Sequence, residues 1–418
     1  MKKQEKKGKM PLRFHGISSK IFQVKECMKC RELLRAIRMD DGCARLLPFF
    51  KSGTERRDGR SMKATLILEN GSVFAGTSIG CTEDKICELV FNTSMVGYQE
   101  LLTDPCYAGQ GVVMSYPLVG NYGVNDEDNA SDRVWVEALV VRHLSERGSN
   151  FRCQGDLNTY LKNGGVTGIQ DVDTRALTKI LRNQGSMNAL VTCAEHFNIA
   201  EVMDKLKAYK ITGKVAKTTC TDPETLEGSG AHVAVLDFGV TCSLVEHLTE
   251  RGCKVTLLPA ETQAEAILSG GYDGVILSPG PGDPAENTGI IAQVKKLYDS
   301  DIPLFGFGLG HQLLALAVGG KTEKLPYGHR GGNIPVRDLE QGKIYITSQN
   351  HGYVVVDGSV DATIAQPSHT NVNDGSVEGL KYSRPNCFAM QYDPEGNKGP
   401  AETRYVFDRI VSIVGGDK

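Results

Sequence analysis

From residue 231 onward, short apolar runs alternate with amphipathic stretches. The apolar runs have the length and composition of buried strands, and they lie at His232–Asp237, Lys254–Leu258, Gly274–Leu277 and Pro303–Phe307. Apolar residues at helical spacing predict helices between them, over Ser243–Arg251, Thr262–Ser269 and Ile290–Ser300. Strands that alternate with helices are typical of a doubly wound α/β domain, whose ligands bind at the carboxyl ends of the strands.

Residues 62–215 have a different pattern, dominated by short strands and glycine turns. The predicted elements are a hairpin of Thr65–Leu68 and Val73–Ala75 around Asn70-Gly71, and helices over Thr174–Arg182 and Ile199–Tyr209. Asp173 or Thr174 is the expected N-cap of the first of these helices, and Gly185 lies just beyond its end. The pattern therefore predicts a mixed α/β domain.

Between these domains, residues 216–230 are polar and rich in turn formers, which predicts a linker. The chain accordingly divides into an extension (1–61), an amino-terminal domain (62–215), the linker and a second domain (231–418). Residues 1–61 hold 17 Lys or Arg against 7 Asp or Glu, so the extension is basic although the whole chain carries a net charge of −3. We interpret it as disordered or as a mis-assigned start, because Met62 opens the first patterned segment.

The composition is that of a soluble globular protein, with 40% hydrophobic and 23% charged residues. No apolar run approaches the roughly 18 residues of a membrane span, so no membrane association is expected. The 12 cysteines are scattered through predicted strands and helices, which favours a reducing, cytoplasmic location over a disulfide framework. Cys27, Cys30 and Cys43 offer three thiols and His15 one imidazole, but a single C-x-x-C is a weak signal and no metal site is predicted.

The stretch from Pro303 to Gly320 predicts a nucleophile elbow. A short strand ends at Phe307, the turn Gly308-Leu309-Gly310 follows, and a helix is predicted over His311–Val318. In such an elbow a strained residue presents its side chain beside free amide N–H groups. The residue at the tip is Gly308, which relieves the strain but has no atom that could attack a substrate.

A second loop, Ser278 to Pro284, follows the predicted strand Gly274–Leu277. Its glycines allow backbone N–H groups to approach a ligand closely. The loop is either a rigid turn or, together with the N–H of Leu309, an oxyanion hole.

Three motifs together resemble a class I, triad-type glutamine amidotransferase domain. They are G-F-G-L-G-H-Q after a strand, S-P-G-P-G-D-P upstream and D-P-E near the carboxyl end. The rest of the chain resembles the small subunit of carbamoyl-phosphate synthetase, in the segments 91–110, 115–128, 168–191, 237–240, 327–336 and 347–357. The first three of these segments are the most specific evidence for this family, since other synthases share the amidotransferase module but not this amino-terminal domain. The resemblance spans about 62–410 and implies that the second domain is flavodoxin-like.

The resemblance also implies a function and a binding site. The family supplies ammonia from glutamine for the synthesis of carbamoyl phosphate from bicarbonate and ATP. Positions that would contact L-glutamine are Ser94, Gly280, Gly282, Leu309, Gln312, Asn350, Gly352 and Tyr353. The N–H groups of Gly282 and Leu309 would stabilise the oxyanion, and the family more often has Phe at position 353.

The chain departs from the family at the positions that carry the chemistry. Gly308 replaces the nucleophilic cysteine, Asp393 replaces the histidine base, and Glu395, which orients the base, is retained. Thr241-Cys242-Ser243 stands where the family usually has Lys-x-Asn. We therefore expect the glutaminase activity of this chain to be absent. Rescue by Cys242 or Cys387 is disfavoured because the elbow fixes where attack begins, and structural or ligand-lining roles are expected for His311, His329 and His351.

Two functional hypotheses follow. The first is the small subunit of an ammonia-dependent carbamoyl-phosphate synthetase, whose large subunit binds ATP and Mg²⁺ while this chain holds no cofactor. The second is a non-catalytic glutamine-binding or scaffolding paralogue, and a decaying duplicate remains a third possibility. No nucleic-acid partner is expected, and the sequence leaves pyrimidine and arginine biosynthesis equally open.

Overall fold

The computed structural model describes residues 62–396 and 400–416. The amino-terminal part contains, in chain order, β1 (Lys63–Leu68), β2 (Val73–Gly80), β3 (Lys85–Asn92), α1 (Tyr98–Leu102), β4 (Gln110–Met114), β5 (Leu118–Val119), β6 (Ala138–Val140), β7 (His143–Leu144), α2 (Leu157–Asn163), β8 (Thr167–Gln170), α3 (Thr174–Gln184), β9 (Met187–Thr192) and α4 (Ile199–Ala208). Seven of these strands close a barrel in the order β1-β2-β8-β6-β4-β3-β9, and β5 pairs with β7 separately.

The turn and cap chemistry of this domain follows the sequence. β1 and β2 form an antiparallel hairpin, and Gly71 in its turn has a φ of 86° that favours glycine. Asp173, rather than Thr174, is the N-cap of α3, because its carboxylate accepts a hydrogen bond from the N–H of Ala176 at 3.0 Å. Gly185 ends that helix with a φ of 93°.

The second part is built around one large sheet. Its elements are α5 (Val215–Thr218), β10 (Glu224–Leu226), β11 (His232–Asp237), α6 (Cys242–Glu250), β12 (Lys254–Pro259), α7 (Ala264–Leu268), β13 (Gly274–Leu277), α8 (Thr288–Tyr298), β14 (Leu304–Phe307), α9 (Leu309–Ala317), β15 (Thr322–Asp338), β16 (Ile344–Val355), β17 (Ala365–Asn371), β18 (Val377–Tyr382), β19 (Cys387–Met390) and α10 (Tyr405–Gly415). The ten strands run in the order β10-β12-β11-β13-β14-β19-β18-β17-β15-β16. Neighbours from β12 to β19 pair in parallel, which confirms the doubly wound α/β fold.

Two local predictions differ from the structure. The stretch 216–230 is not an irregular linker, since it contains the end of α5 and the whole of β10, which pairs antiparallel with β12 at the edge of the sheet. Polar, charged sequences are common on edge strands, and this one resembles a loop for that reason. At the elbow, α9 begins at Leu309 rather than His311, so the turn is a single residue, Gly308.

Some expectations cannot be placed in the fold. The basic extension 1–61, with Cys27, Cys30, Cys43 and His15, lies outside the described residues. Among the helices of the described part, none is long and apolar enough to cross a membrane.

Candidate active site

A cavity of about 290 Å³ opens where β13 and β14 end. Barrel residues such as Cys106 and Gln110 also line it, so both domains form its wall. It brings together most of the residues expected to contact glutamine, along with the nucleophile and base positions: Gly280, Gly282, Gly308, Leu309, Gln312, Asn350, Gly352, Tyr353 and Asp393. This is the edge of the sheet where doubly wound proteins bind their ligands.

Gly308 has the backbone of a nucleophile elbow. It joins β14 directly to α9 with φ 51° and ψ −113°, a conformation that is strained for any residue with a side chain. Its N–H donates to the carbonyl of Met390 at 3.0 Å, which fixes the turn against β19. A Cβ at this position would lie 3.3 Å from the Cβ of Pro279, so a side chain would fit with only a small shift. The predicted elbow is therefore present without its nucleophile.

The loop after β13 and the start of α9 present amide N–H groups to the same cavity. Within residues 62–396 and 400–416, neither the N–H of Gly282 nor that of Leu309 donates to a protein acceptor. Leu309 is also the first residue of α9, where the helix dipole favours negative charge. A Cβ at Gly280 would lie 2.6 Å from the carbonyl oxygen of Phe238, so this loop requires glycine for its close packing. These features support the oxyanion-hole interpretation over a purely rigid turn.

Three further side chains of the cavity wall, those of Gln312, Asn350 and Tyr353, interact with their neighbours. The amide of Gln312 donates to the carbonyl of Tyr353 at 2.7 Å and to the Gln391 side chain at 2.9 Å. Asn350 donates to the carboxylate of Asp104 at 3.2 Å, which links the second domain to the barrel. Burial, and then the neighbouring Asp283, raises the pKa of Tyr353, so its phenol is a neutral donor at physiological pH.

Ser94 is buried but is not among the residues that line the cavity. Its hydroxyl accepts a hydrogen bond from the N–H of Gly332 at 3.0 Å, which ties the barrel to β15. The structure thus shows a domain contact at this position, and contact with glutamine stays a prediction.

The two remaining triad positions differ in their exposure to the cavity, since Asp393 lines it and Glu395 is buried. Asp393 lines the cavity, and its N–H donates to the carbonyl of Ser348 at 3.0 Å. Glu395 is only 2% exposed, and its carboxylate accepts a hydrogen bond from the hydroxyl of Thr241 at 2.8 Å. The carboxylate that would orient a histidine therefore interacts with a residue that itself departs from the family pattern.

Neither cysteine considered as a substitute nucleophile lines the cavity. Cys387 pairs with Leu304 at the opposite end of β14 from Gly308, and burial raises its thiol pKa to about 12. Cys242 begins α6, outside the cavity wall. Cys106 does line the cavity, from the barrel side, and no sequence signal indicated it.

The three histidines of the family-like motifs occupy different environments. His311 is fully buried and neutral, because burial lowers its pKa to about 3. Burial and the nearby His329 hold the pKa of His351 well below its usual value, and the Nδ1 of His351 lies 2.8 Å from the carbonyl of Tyr353. Of the three, His351 lines the cavity, and the structural or ligand-lining roles expected for them stay predictions.

His329 and His351 also form, with Glu378, a buried group whose ligand atoms lie within 4.8 Å of one another. His329 lies 2.9 Å from the carboxylate of Asp374 and 3.3 Å from that of Glu378. These hydrogen bonds and charges raise the pKa of His329 to about 9 against the effect of its burial. The imidazolium of His329 thus interacts with two carboxylates, those of Asp374 and Glu378.

Sequence reasoning missed the charged residues of the wall. Glu88 from the barrel and Lys324 from β15 form an ion pair there, and Lys210 and Arg330 also line the cavity. They lie far apart in the sequence, and only the packing of the two domains places them together.

Comparison with known proteins accounts for nearly all of the described chain. Residues 66–191 match the family model "Carbamoyl-phosphate synthase small chain, CPSase domain", and residues 234–413 match "Glutamine amidotransferase class-I". The carbamoyl phosphate synthase small chain of Clostridium perfringens is 44% identical over 350 residues, which cover 84% of this chain and 99% of the relative. The chain belongs to the carbamoyl phosphate synthase small chain family.

Other members of the carbamoyl phosphate synthase small chain family match over a similar length. The small chain of Clostridium acetobutylicum is 44% identical over 353 residues, covering 84% of this chain and 100% of that protein. The pyrimidine-specific small chain of Halalkalibacterium halodurans is 41% identical over 358 residues, covering 85% of this chain and 98% of that protein. Membership in the family confirms the resemblance inferred from the motifs.

Proposed function

We propose that this chain is the small subunit of a carbamoyl phosphate synthase complex and has lost the ability to hydrolyse glutamine. The observation that carries the proposal is the glycine at the tip of an intact elbow, Gly308 at φ 51° and ψ −113°. The complex would then use free ammonia, bicarbonate and ATP. ATP and Mg²⁺ would bind to a large subunit, and this chain would hold no cofactor of its own.

The chemistry of glutamine hydrolysis explains why the substitutions abolish it. A thiolate must attack the carboxamide carbon, and an imidazole must activate the thiol and protonate the departing ammonia. Gly308 supplies no nucleophilic atom, and Asp393 places a carboxylate where the imidazole base would be. Losing one member of such a unit costs nearly as much rate as losing all of it.

The experiment that tests the proposal is carbamoyl phosphate synthesis by this chain together with a carbamoyl phosphate synthase large subunit. Glutamine and ammonium are supplied in parallel, and the product is measured at matched concentrations. We expect synthesis with ammonium and a rate with glutamine equal to that of the large subunit alone. Glutamine-dependent synthesis that requires this chain would show that the site is active.

A glutamine-binding or scaffolding role is favoured by a second observation. The Gly282 and Leu309 amides and the Gln312, Asn350 and Tyr353 side chains still surround the cavity. Titration calorimetry with L-glutamine, without a large subunit, tests this role directly. Binding in the absence of any effect on carbamoyl phosphate synthesis would favour the scaffold over the subunit.

The remaining assignments follow from the same proposal. A subunit of this complex would function in the cytoplasm and would bind neither nucleic acid nor membranes. The name of the Halalkalibacterium halodurans relative favours pyrimidine over arginine biosynthesis for this chain. Comparing growth without uracil and without arginine, after deletion of the gene, separates the two pathways.

A further inference from the structure

Arg330 is a buried cation on the wall of the cavity. Its side chain lies on β15 and is only 5% exposed. One terminal nitrogen donates to the carbonyl of Tyr327 at 2.8 Å, whereas Nε has no hydrogen-bond acceptor among the described residues. Burial lowers the pKa of the guanidinium, but an arginine stays charged in proteins. Buried charges are normally paired with an opposite charge, and the guanidinium of Arg330 forms no such ion pair within the described residues.

The nearest acidic side chain does not fill that role. Glu88 attracts the guanidinium, but no carboxylate oxygen in the described part of the chain lies within 4.0 Å of Arg330. Glu88 is engaged elsewhere, by Lys324, by Ser186 at 3.1 Å and by Gln110 at 3.1 Å. The charge of Arg330 is therefore available to a ligand.

The strand register turns Arg330 toward the residues expected to contact glutamine. Arg330 is directly opposite Asn350 in the antiparallel pair β15–β16, so the two side chains share a face. Gly352 lies two residues further along the same face, and a Cβ there would come 3.1 Å from a terminal nitrogen of Arg330. The glycine thus leaves the guanidinium open toward the cavity.

We infer that Arg330 binds the α-carboxylate of the amino acid held in this cavity. A guanidinium forms two parallel hydrogen bonds with a carboxylate, which suits one end of a zwitterionic ligand. The side-chain amide would then extend toward Gly308 and the N–H groups of Gly282 and Leu309. This inference rests on the proposal that the cavity takes L-glutamine, and it adds the group that selects a free α-carboxylate.

The test is titration calorimetry of the full chain with two ligands, L-glutamine and L-glutaminamide, in which an amide replaces the α-carboxylate. A charge-assisted pair predicts that the unmodified chain prefers L-glutamine by about 10-fold or more. Arg330→Met should abolish that preference, so that both ligands bind with similar affinity. Arg330→Lys, which keeps the charge without the planar fork, should give an intermediate ratio.

Arg251→Met is the matched control, because Arg251 pairs with Asp408 and does not line the cavity. It should keep the full preference for L-glutamine. Equal ligand preference in the unmodified chain and in Arg330→Met would assign Arg330 a purely structural role and overturn the inference. If Arg330→Met does not fold, an unchanged ratio in Arg330→Lys overturns it as well.

The failure of this inference can be told apart from the failure of the proposed function. No binding of either ligand to the unmodified chain would overturn the role of Arg330, while ammonia-dependent synthesis would stand. Glutamine hydrolysis by the complex would overturn the proposed function, and the ligand ratio would still report on Arg330.

Discussion

At the scale of single residues, the site is governed by Gly308 and Asp393. Gly308 keeps an elbow backbone whose strain, about 1–3 kcal/mol for a residue with a side chain, glycine avoids. Asp393 lines the same cavity, and the carboxylate of Glu395 accepts a hydrogen bond from the hydroxyl of Thr241. Two substitutions at the reacting centre thus leave the surrounding binding groups in place.

The first prediction concerns restoration of hydrolysis. Gly308→Cys with Asp393→His should raise glutamine hydrolysis by roughly 100-fold or more over either single variant, because the thiol and the imidazole act as a unit. Ammonia release with a coupled assay gives the rate. Gly308→Ser with Asp393→His is the control, since it fills the elbow without a thiolate. If the double variant is no faster than the unmodified chain, the remaining glutamine-contact residues do not form a site that can hydrolyse glutamine.

At the scale of elements, the elbow depends on how closely α9 packs on β13. The N–H of Gly310 donates to the carbonyl of Ser278 at 3.1 Å. A Cβ on Gly310 would lie 2.2 Å from the carbonyl oxygen of Leu277, which is closer than atoms can approach. Glycine at this position is what allows the helix to start against the strand.

A second prediction follows for Gly310→Ala. The methyl group must push α9 away from β13, and we expect a loss of about 1–3 kcal/mol in the free energy of unfolding. Urea denaturation measures the change. Gly289→Ala on α8 is the control, because its methyl group would meet no atom within 4 Å and alanine favours a helix. Equal stability of the two variants would contradict this close packing of α9 on β13.

A third prediction concerns the cluster between β15, β16 and β18. Asp374 and Glu378 raise the pKa of His329 to about 9 from 6.5, so its stabilisation is complete below the unfolded pKa and is lost as the pH rises through 9. Through this group, stability should fall by about 1 kcal/mol between about pH 7 and 8. The pKa values of His311, His351 and His369 are lowered, so these rings are neutral in the folded chain, and their remaining protonation in the unfolded chain adds a smaller slope of opposite sign that fades toward pH 8.

His329→Gln supplies the control for that pH dependence. Glutamine can still donate a hydrogen bond but does not titrate, so the fall in stability between about pH 7 and 8 should be smaller by about 1 kcal/mol. Urea unfolding at several pH values measures it. An unchanged slope in the variant would assign the pH dependence to other groups.

At the scale of the whole molecule, the cavity belongs to two domains. The barrel contributes Glu88 and Gln110 to its wall, and the contacts Ser94–Gly332 and Asn350–Asp104 join the two parts. Binding at the cavity should therefore depend on how the domains pack, as well as on the elbow. A large subunit that contacts either domain would be able to influence this site.

The fourth prediction concerns the basic extension. The curated relatives are matched along nearly their whole length by about 350 residues of this chain, and the family models begin at residue 66. Deletion of residues 1–61 should accordingly leave the melting temperature and ammonia-dependent synthesis unchanged. Thermal unfolding and the reconstituted assay measure both. Weaker assembly with the large subunit would instead assign the extension a role in the complex.

Much of the fold was predictable because its signals are local. The strands His232–Asp237 and Gly274–Leu277 were predicted with their observed bounds, since buried parallel strands are continuous apolar runs. Strand β10 was missed because its polar sequence gives no such signal. It is a strand only through its pairing with β12.

The features of the site can likewise be divided into those that the sequence predicted and those that depend on tertiary packing. By itself, the sequence determined the elbow, its missing nucleophile and the family, because these depend on neighbouring residues and on motifs. Only the tertiary structure decided that Arg330 lines the cavity with no acceptor for its Nε in the described chain, that Thr241 donates a hydrogen bond to Glu395 and that Cys387 lies at the opposite end of β14 from Gly308. Those relations join residues far apart in the chain, and burial and strand register set them rather than local sequence.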